Sequence, residues 1–129
     1  MKPLVLAIAA FALATPQQRL LNAKAEWAKN NVQSYSYRVE VTCSNCALPP
    51  PGTIRVVDGR AVHPPANLRP YDSVPKLLAM IQKGIDHHGY KVTASYSSTL
   101  GYPKKVTIRQ GGRVVDDRMG FVVTEFHRS

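Results

Sequence analysis

Between residues 35 and 43 the chain alternates without a fault. Tyr35, Tyr37, Val39, Val41 and Cys43 take one phase, and Ser36, Arg38, Glu40 and Thr42 take the other. A period of two puts successive side chains on opposite sides of a strand, so this stretch predicts a strand with one core face and one wet face. Cys43 falls in the core phase at its end. Upstream, residues 17–31 follow a helical period, with Leu20, Ala23 and Trp27 in one stripe and Leu21 and Ala28 broadening it. A second helix is predicted after Ser73, which can cap it. Val74, Leu77, Leu78, Ile81 and Ile85 form its apolar stripe, Pro75 fits its first turn and Gly89 fits just past its end.

The remaining pattern is again of period two. Residues 52–57 and 60–62 flank Asp58-Gly59, a strong short hairpin signal. Residues 63–69 are broken by proline and read as irregular. Residues 91–96 put Val92, Ala94 and Tyr96 on one face, residues 104–109 put Val106 and Ile108 inward, and residues 113–115 and 121–126 follow as strands. Residues 97–103 and Gln110-Gly111-Gly112 supply turns, and Tyr102-Pro103 is a place where a cis bond would not be unusual. Helix, hairpin, helix and then a meander predict an α+β domain: a mostly antiparallel sheet with two helices packed on one face. The pattern leaves the order of the strands open.

The N-terminus changes what surrounds this domain. Met1-Lys2, an apolar run from Pro3 to Leu13 and Ala12-Leu13-Ala14 before Thr15 have the form of a secretory signal peptide, so residues 1–14 are expected to be removed and residues 15–129 to form a single domain. The run is too short for a membrane span of roughly 20 residues, and no transmembrane segment is expected after cleavage. The reading places the protein outside the cytoplasm, periplasmic or extracellular. Seventeen Lys and Arg against eight Asp and Glu give a formal charge of +9, and losing Lys2 leaves +8. Such an excess favours anionic partners, and export disfavours intracellular nucleic acid among them.

Several local phrases together match a known pattern. Ser34-Tyr35-Ser36-Tyr37-Arg38 leading to Cys43, the Val57-Asp58-Gly59 turn, the helix from Val74, and Leu100-Gly101-Tyr102-Pro103 followed by Asp116-Asp117 occur in this order in a family of small exported bacterial proteins. From about Trp27 to Phe126 the chain resembles that family, known as domain of unknown function 6174. The resemblance implies export and the α+β class. It implies no catalytic residue, because the family carries no assigned activity.

Cys43 and Cys46, with Ser44-Asn45 between them and Pro49-Pro50-Pro51 behind, admit three readings. A thioredoxin-like redox pair needs the start of a helix, where backbone N–H groups lower a thiol pKa, and three prolines cannot continue a helix. A structural zinc site needs four ligands, and no second cysteine pair or suitably spaced histidine pair accompanies this one. His87 and His88 are adjacent on a helix and diverge by about 100°. They read instead as groups that complement the helix's negative end. A local disulfide is the reading that export favours, closing a small loop where the first strand ends. Neither a metal nor another cofactor is expected.

No nucleophile elbow, zinc-protease helix motif or phosphate-binding glycine loop occurs, and Asp116-Asp117 reads as turn chemistry rather than as a catalytic pair. The chain is not expected to be an enzyme. If Tyr37, Val39, Ile54, Val56, Val106 and Ile108 face the helices, then Arg38, Glu40, Arg55, Lys105, Thr107 and Arg109 line the open face of the sheet. Four of these are cations. Arg38, Arg55, Lys105 and Arg109 form the candidate face for an acidic protein or an anionic envelope polymer, and the absence of aromatic side chains argues against base stacking. An ordinary solvated face is the plainer account of the same charges. The alternative function is a redox-active or metal-linked accessory protein built on Cys43 and Cys46.

Overall fold

In the computed structural model, which describes residues 14–44, 46–111 and 117–129, the alternating stretch is strand β1, Tyr35–Cys43, in the middle of a six-stranded antiparallel sheet. Its helix-facing residues Tyr35, Tyr37, Val39 and Val41 are buried, as the pattern requires. On one side it pairs with β2, Gly52–Val57, which turns through Asp58 and Gly59 into the two-residue β3, Arg60–Ala61. Both turn residues have positive φ, 49° and 82°, the twist that a two-residue hairpin needs.

On its other side β1 pairs with the last strand, β6 (Asp117–Arg128), which is flanked by β5 (Pro103–Gln110) and then β4 (Lys91–Tyr96). The sheet order is therefore β3-β2-β1-β6-β5-β4. The C-terminal strand sits at the centre, beside the first strand. The expected strand over residues 113–115 and Asp116 lie outside the described residues. Asp117, read as part of a turn, is already the first residue of β6 and pairs with Gln110.

Both helices lie on the core face of the sheet, and the α+β expectation holds. Helix α1, Pro16–Asn30, starts where Thr15 Oγ1 accepts from Gln18 N and ends at Asn31 in the left-handed region. Leu20 and Ala23 are buried, and Trp27 is half-buried with its ring edge-on to Tyr35, centroids 5.2 Å apart. Leu21 and Ala28 do not extend that face: both are exposed, Leu21 at 48%, because α1 meets the domain along one narrow stripe. Helix α2, Val74–Asp86, is capped by Ser73 and buries Val74, Leu77, Leu78 and Ile81. Its N-cap is preceded by a 3-10 helix, Ala66–Tyr71, where irregular chain was expected; Leu68 anchors it in the core. His87 caps the end of α2, His88 lies beyond it, and Gly89 follows at φ 90°. The peptide bonds are trans among the described residues, Tyr102–Pro103 included.

Two tyrosines of β1 explain how α2 is placed. Tyr35 Oη accepts from Val74 N at 3.0 Å, and Tyr37 Oη donates to Tyr71 O at 2.5 Å. The first hydroxyl satisfies an N–H that the opening turn of a helix leaves without an internal partner. The second holds the carbonyl just upstream. Beside them Asp72, almost fully buried, pairs with Lys76 Nζ at 2.8 Å.

Candidate functional site

The face of the sheet away from the helices carries the charge. Arg38, Glu40, Arg55, Lys105 and Arg109 are exposed there and Thr107 is half-buried, each one residue out of phase with a buried neighbour. Strand pairing brings in three further cations, of which Arg60 lies opposite Val57 in the first hairpin. Arg118 pairs with Arg109, and Arg109 pairs with Lys91, so three cations cross β6, β5 and β4 in one row. Neighbouring strands lie about 4.8 Å apart, and the row spans about 10 Å. Like charges placed directly opposite one another destabilise a sheet by roughly 0.2–1 kcal/mol per pair. Arg109 and Arg118 each have further interactions besides this pairing.

The next row is uncharged and small: Thr42, Gly120, Thr107 and Thr93. Beyond it Glu40, Val122, Lys105 and Ser95 lie abreast, followed by Thr53, Arg38 and Thr124. Arg55, opposite Ser36, stands one row further toward the hairpin. The four cations expected from sequence therefore share one surface but do not touch as a cluster. Arg38 and Arg55 occupy the β1–β2 half, while Lys105 and Arg109 occupy the β5 half. Among the described residues that strand register puts on this face Glu40 is the one carboxylate, while Glu125, exposed beside Thr124, sits at an irregularity outside that register.

Lys91, Arg60 and Arg118 were missed as members, Arg60 because its place rests on the hairpin register opposite Val57. Lys91 was legible, since inward Val92, Ala94 and Tyr96 leave it on the open side. Arg118 was not, because the pattern starts the last strand at residue 121 whereas pairing with β1 and β5 extends it back to Asp117.

The cysteines sit at the edge of this surface. Cys43, half-buried opposite Met119, is disulfide-bonded to Cys46, with Cα atoms 5.9 Å apart. Ser44 fastens the loop to β6: Ser44 N donates to Arg118 O and Arg118 N donates to Ser44 Oγ, both at 3.0 Å. Among the described residues no helix begins at this pair, so none supplies the N-terminal dipole that a thioredoxin-like thiolate requires. Among the described residues no three His, Cys, Asp or Glu side chains gather as metal ligands. Replacing both Cys43 and Cys46 by Ala is expected to lower stability by about 2 kcal/mol at most, because the closed loop is so short. Chemical denaturation of the variant measures it, and a much larger loss would mean that the bond organises the strand end itself.

No helix among the described residues is long and apolar enough to cross a membrane. Comparison with curated proteins and with solved structures finds no match to this chain. The model of one protein family does match, over residues 19–128, which takes in most of α1, all of α2 and the whole sheet. The chain therefore belongs to the family of unknown function DUF6174.

Proposed function

We propose that this protein is an exported, non-enzymatic binding domain whose open sheet face engages an acidic protein or an anionic polymer. The observation that carries the reading is the charge of that face: register places Arg38, Arg55, Arg60, Lys91, Lys105, Arg109 and Arg118 on it against Glu40, with Glu125 exposed beside it at the bulge. The face is regular and open, with threonines rather than aromatic rings between the cations. It suits an extended or flat anionic partner held by many exposed charge contacts. Each such contact is weak, so affinity comes from their number and falls as salt is added. The disulfide suits an oxidising compartment outside the cytoplasm, which supports export.

Polyglutamate serves as the probe. The native chain is expected to bind it at low ionic strength with an affinity that falls steadily with salt. Reversing Arg38→Glu and Arg109→Glu together is expected to weaken binding by about tenfold or more, since the pair changes four units of charge on the two halves of the face. Both side chains are exposed, so the melting temperature should hardly move. Binding that ignores both the salt and the reversal would remove the basic face as the recognition surface.

A further inference from the structure

On the opposite side of the sheet, along the flank of α2 away from Gln82 and its hydrogen bonds to Gln17 of α1, runs a groove of about 480 Å³. That volume lies within the range of about 300–1,000 Å³ usual for small-molecule sites. Ile108 of β5 and Met119 of β6 form its floor, and Met80 and Gly84 of α2 form one wall. Gly84 is what brings the helix this close. A Cβ there would stand 3.0 Å from both Ile108 Cδ1 and Val92 Cγ2. His87 and Tyr90 also line it, and their rings stack with centroids 3.7 Å apart.

The rim is cationic. Lys76 and Lys83 both line the groove, and no carboxylate does so among the described residues. Lys76 is already held by Asp72 and by Arg69 O. Lys83 is exposed and forms no ion pair among the described residues. The negative end of α2 lies nearby and amounts to about half a charge, which the full charge of Lys83 exceeds. Two methionines at the floor and wall provide pliable, polarisable contacts that adapt to an unbranched chain.

We propose that this groove binds a single amphiphilic anion, with its apolar body against Met80, Ile108, Met119 and Tyr90 and its acidic head at Lys83. The site lies on the helix side of the sheet, so it stands or falls apart from the basic face.

Displacement of anilinonaphthalene sulfonate fluorescence by dodecanoate, on the full chain and below the concentration at which dodecanoate self-associates, tests it. Dodecanoate is expected to displace the dye at one site per chain, while uncharged dodecyl maltoside, whose alkyl tail is of closely similar length, displaces it at least several-fold less well. Ala79→Glu and Lys83→Glu change exposed positions of α2 and should leave the melting temperature nearly unchanged. Each is expected to weaken dodecanoate by about five- to tenfold, because each sets a carboxylate at the rim. Arg109→Glu, on the open face, should change nothing in this assay. Failure of dodecanoate to displace the dye, equal displacement by the neutral detergent, or indifference to both α2 substitutions would each overturn the proposal.

Discussion

Replacing Gly101 by alanine is expected to cost this protein several kcal/mol. Gly101 has φ +87°, and a Cβ built there would lie 2.3 Å from Ala23 O and 2.9 Å from Trp27 N. Both contacts are backbone atoms of α1, so no side chain can swing aside. The loop cannot retreat easily either. Gly101 N donates to Ser97 O, Ser97 N donates to Tyr102 O, and Asn30 Nδ2 donates to Thr99 O. Nor can α1 lift away without withdrawing Leu20 from the core and Trp27 from the edge of Tyr35. A left-handed alanine costs roughly 1–2 kcal/mol by itself. Forcing a methyl into closed packing adds about 1–3 kcal/mol. On a domain this size the sum should lower the melting temperature by on the order of 10–20 °C. Gly89 is the internal control, since its φ is +90° but nothing lies within 4 Å of a Cβ placed there. Gly89→Ala should therefore show the backbone cost alone. Circular dichroism melts that gave the two variants equal shifts would refute the packing of the loop against α1.

Truncating Tyr37 is the second large effect. The side chain is fully buried between the sheet and the chain entering α2. Tyr37→Ala is expected to cost about 3–5 kcal/mol, as for other buried aromatic residues. Tyr37→Phe keeps the ring and removes the hydroxyl from Tyr71 O, costing about 1–2 kcal/mol. The two substitutions together separate packing from hydrogen bonding. The phenol also makes a prediction about pH. Burial pushes the Tyr37 hydroxyl far above its ordinary value, with the nearby Tyr35 and Asp72 adding to the rise. Tyr35 is likewise raised, by burial first, against the lowering effect of its bond from Val74 N and with Asp72 adding to the rise. In the unfolded chain both ionise near pH 10. The folded state therefore holds the proton more tightly, and the stability this confers is complete below about pH 10 and is lost as pH climbs above it toward the raised values. Denaturation midpoints should fall above pH 10, and the slope should be shallower in Tyr37→Phe. An unchanged slope would mean that Tyr37 does not resist ionisation.

Much of the architecture was already written in the period of the chain. The faultless alternation of β1 gave its buried residues, the stripe from Val74 gave the buried face of α2, and Asp58-Gly59 gave the first hairpin. Arg38, Arg55, Lys105 and Arg109 followed from the same parity, because in a strand the inward set dictates the outward one. Where the pattern misled, a neighbour was responsible. Leu21 looks like core in a helical stripe but stands exposed, since a helix buries only what a partner reaches.

The last strand shows most clearly where sequence stops. Phe121 and Val123 point inward, and simple alternation would send Glu125 into the core and Phe126 into solvent. An irregularity in the pairing with β1, between Ser36 and Arg38, accommodates one additional residue in β6, and Glu125 takes it up at φ 52°. Phe126 thereby returns to the core side and stacks on Tyr102 at 4.0 Å and on Tyr35 at 5.4 Å. Sequence by itself determined the class of fold, the two faces of the early strands and the charge that one of them carries, because these depend on local periodicity. Only the tertiary structure decided that the C-terminal strand lies between β1 and β5, that the cations of Arg118, Arg109 and Lys91 share a row, and that a groove opens beside Gly84. Those facts rest on pairings between residues far apart in the chain, whose register is set by what packs on the finished sheet.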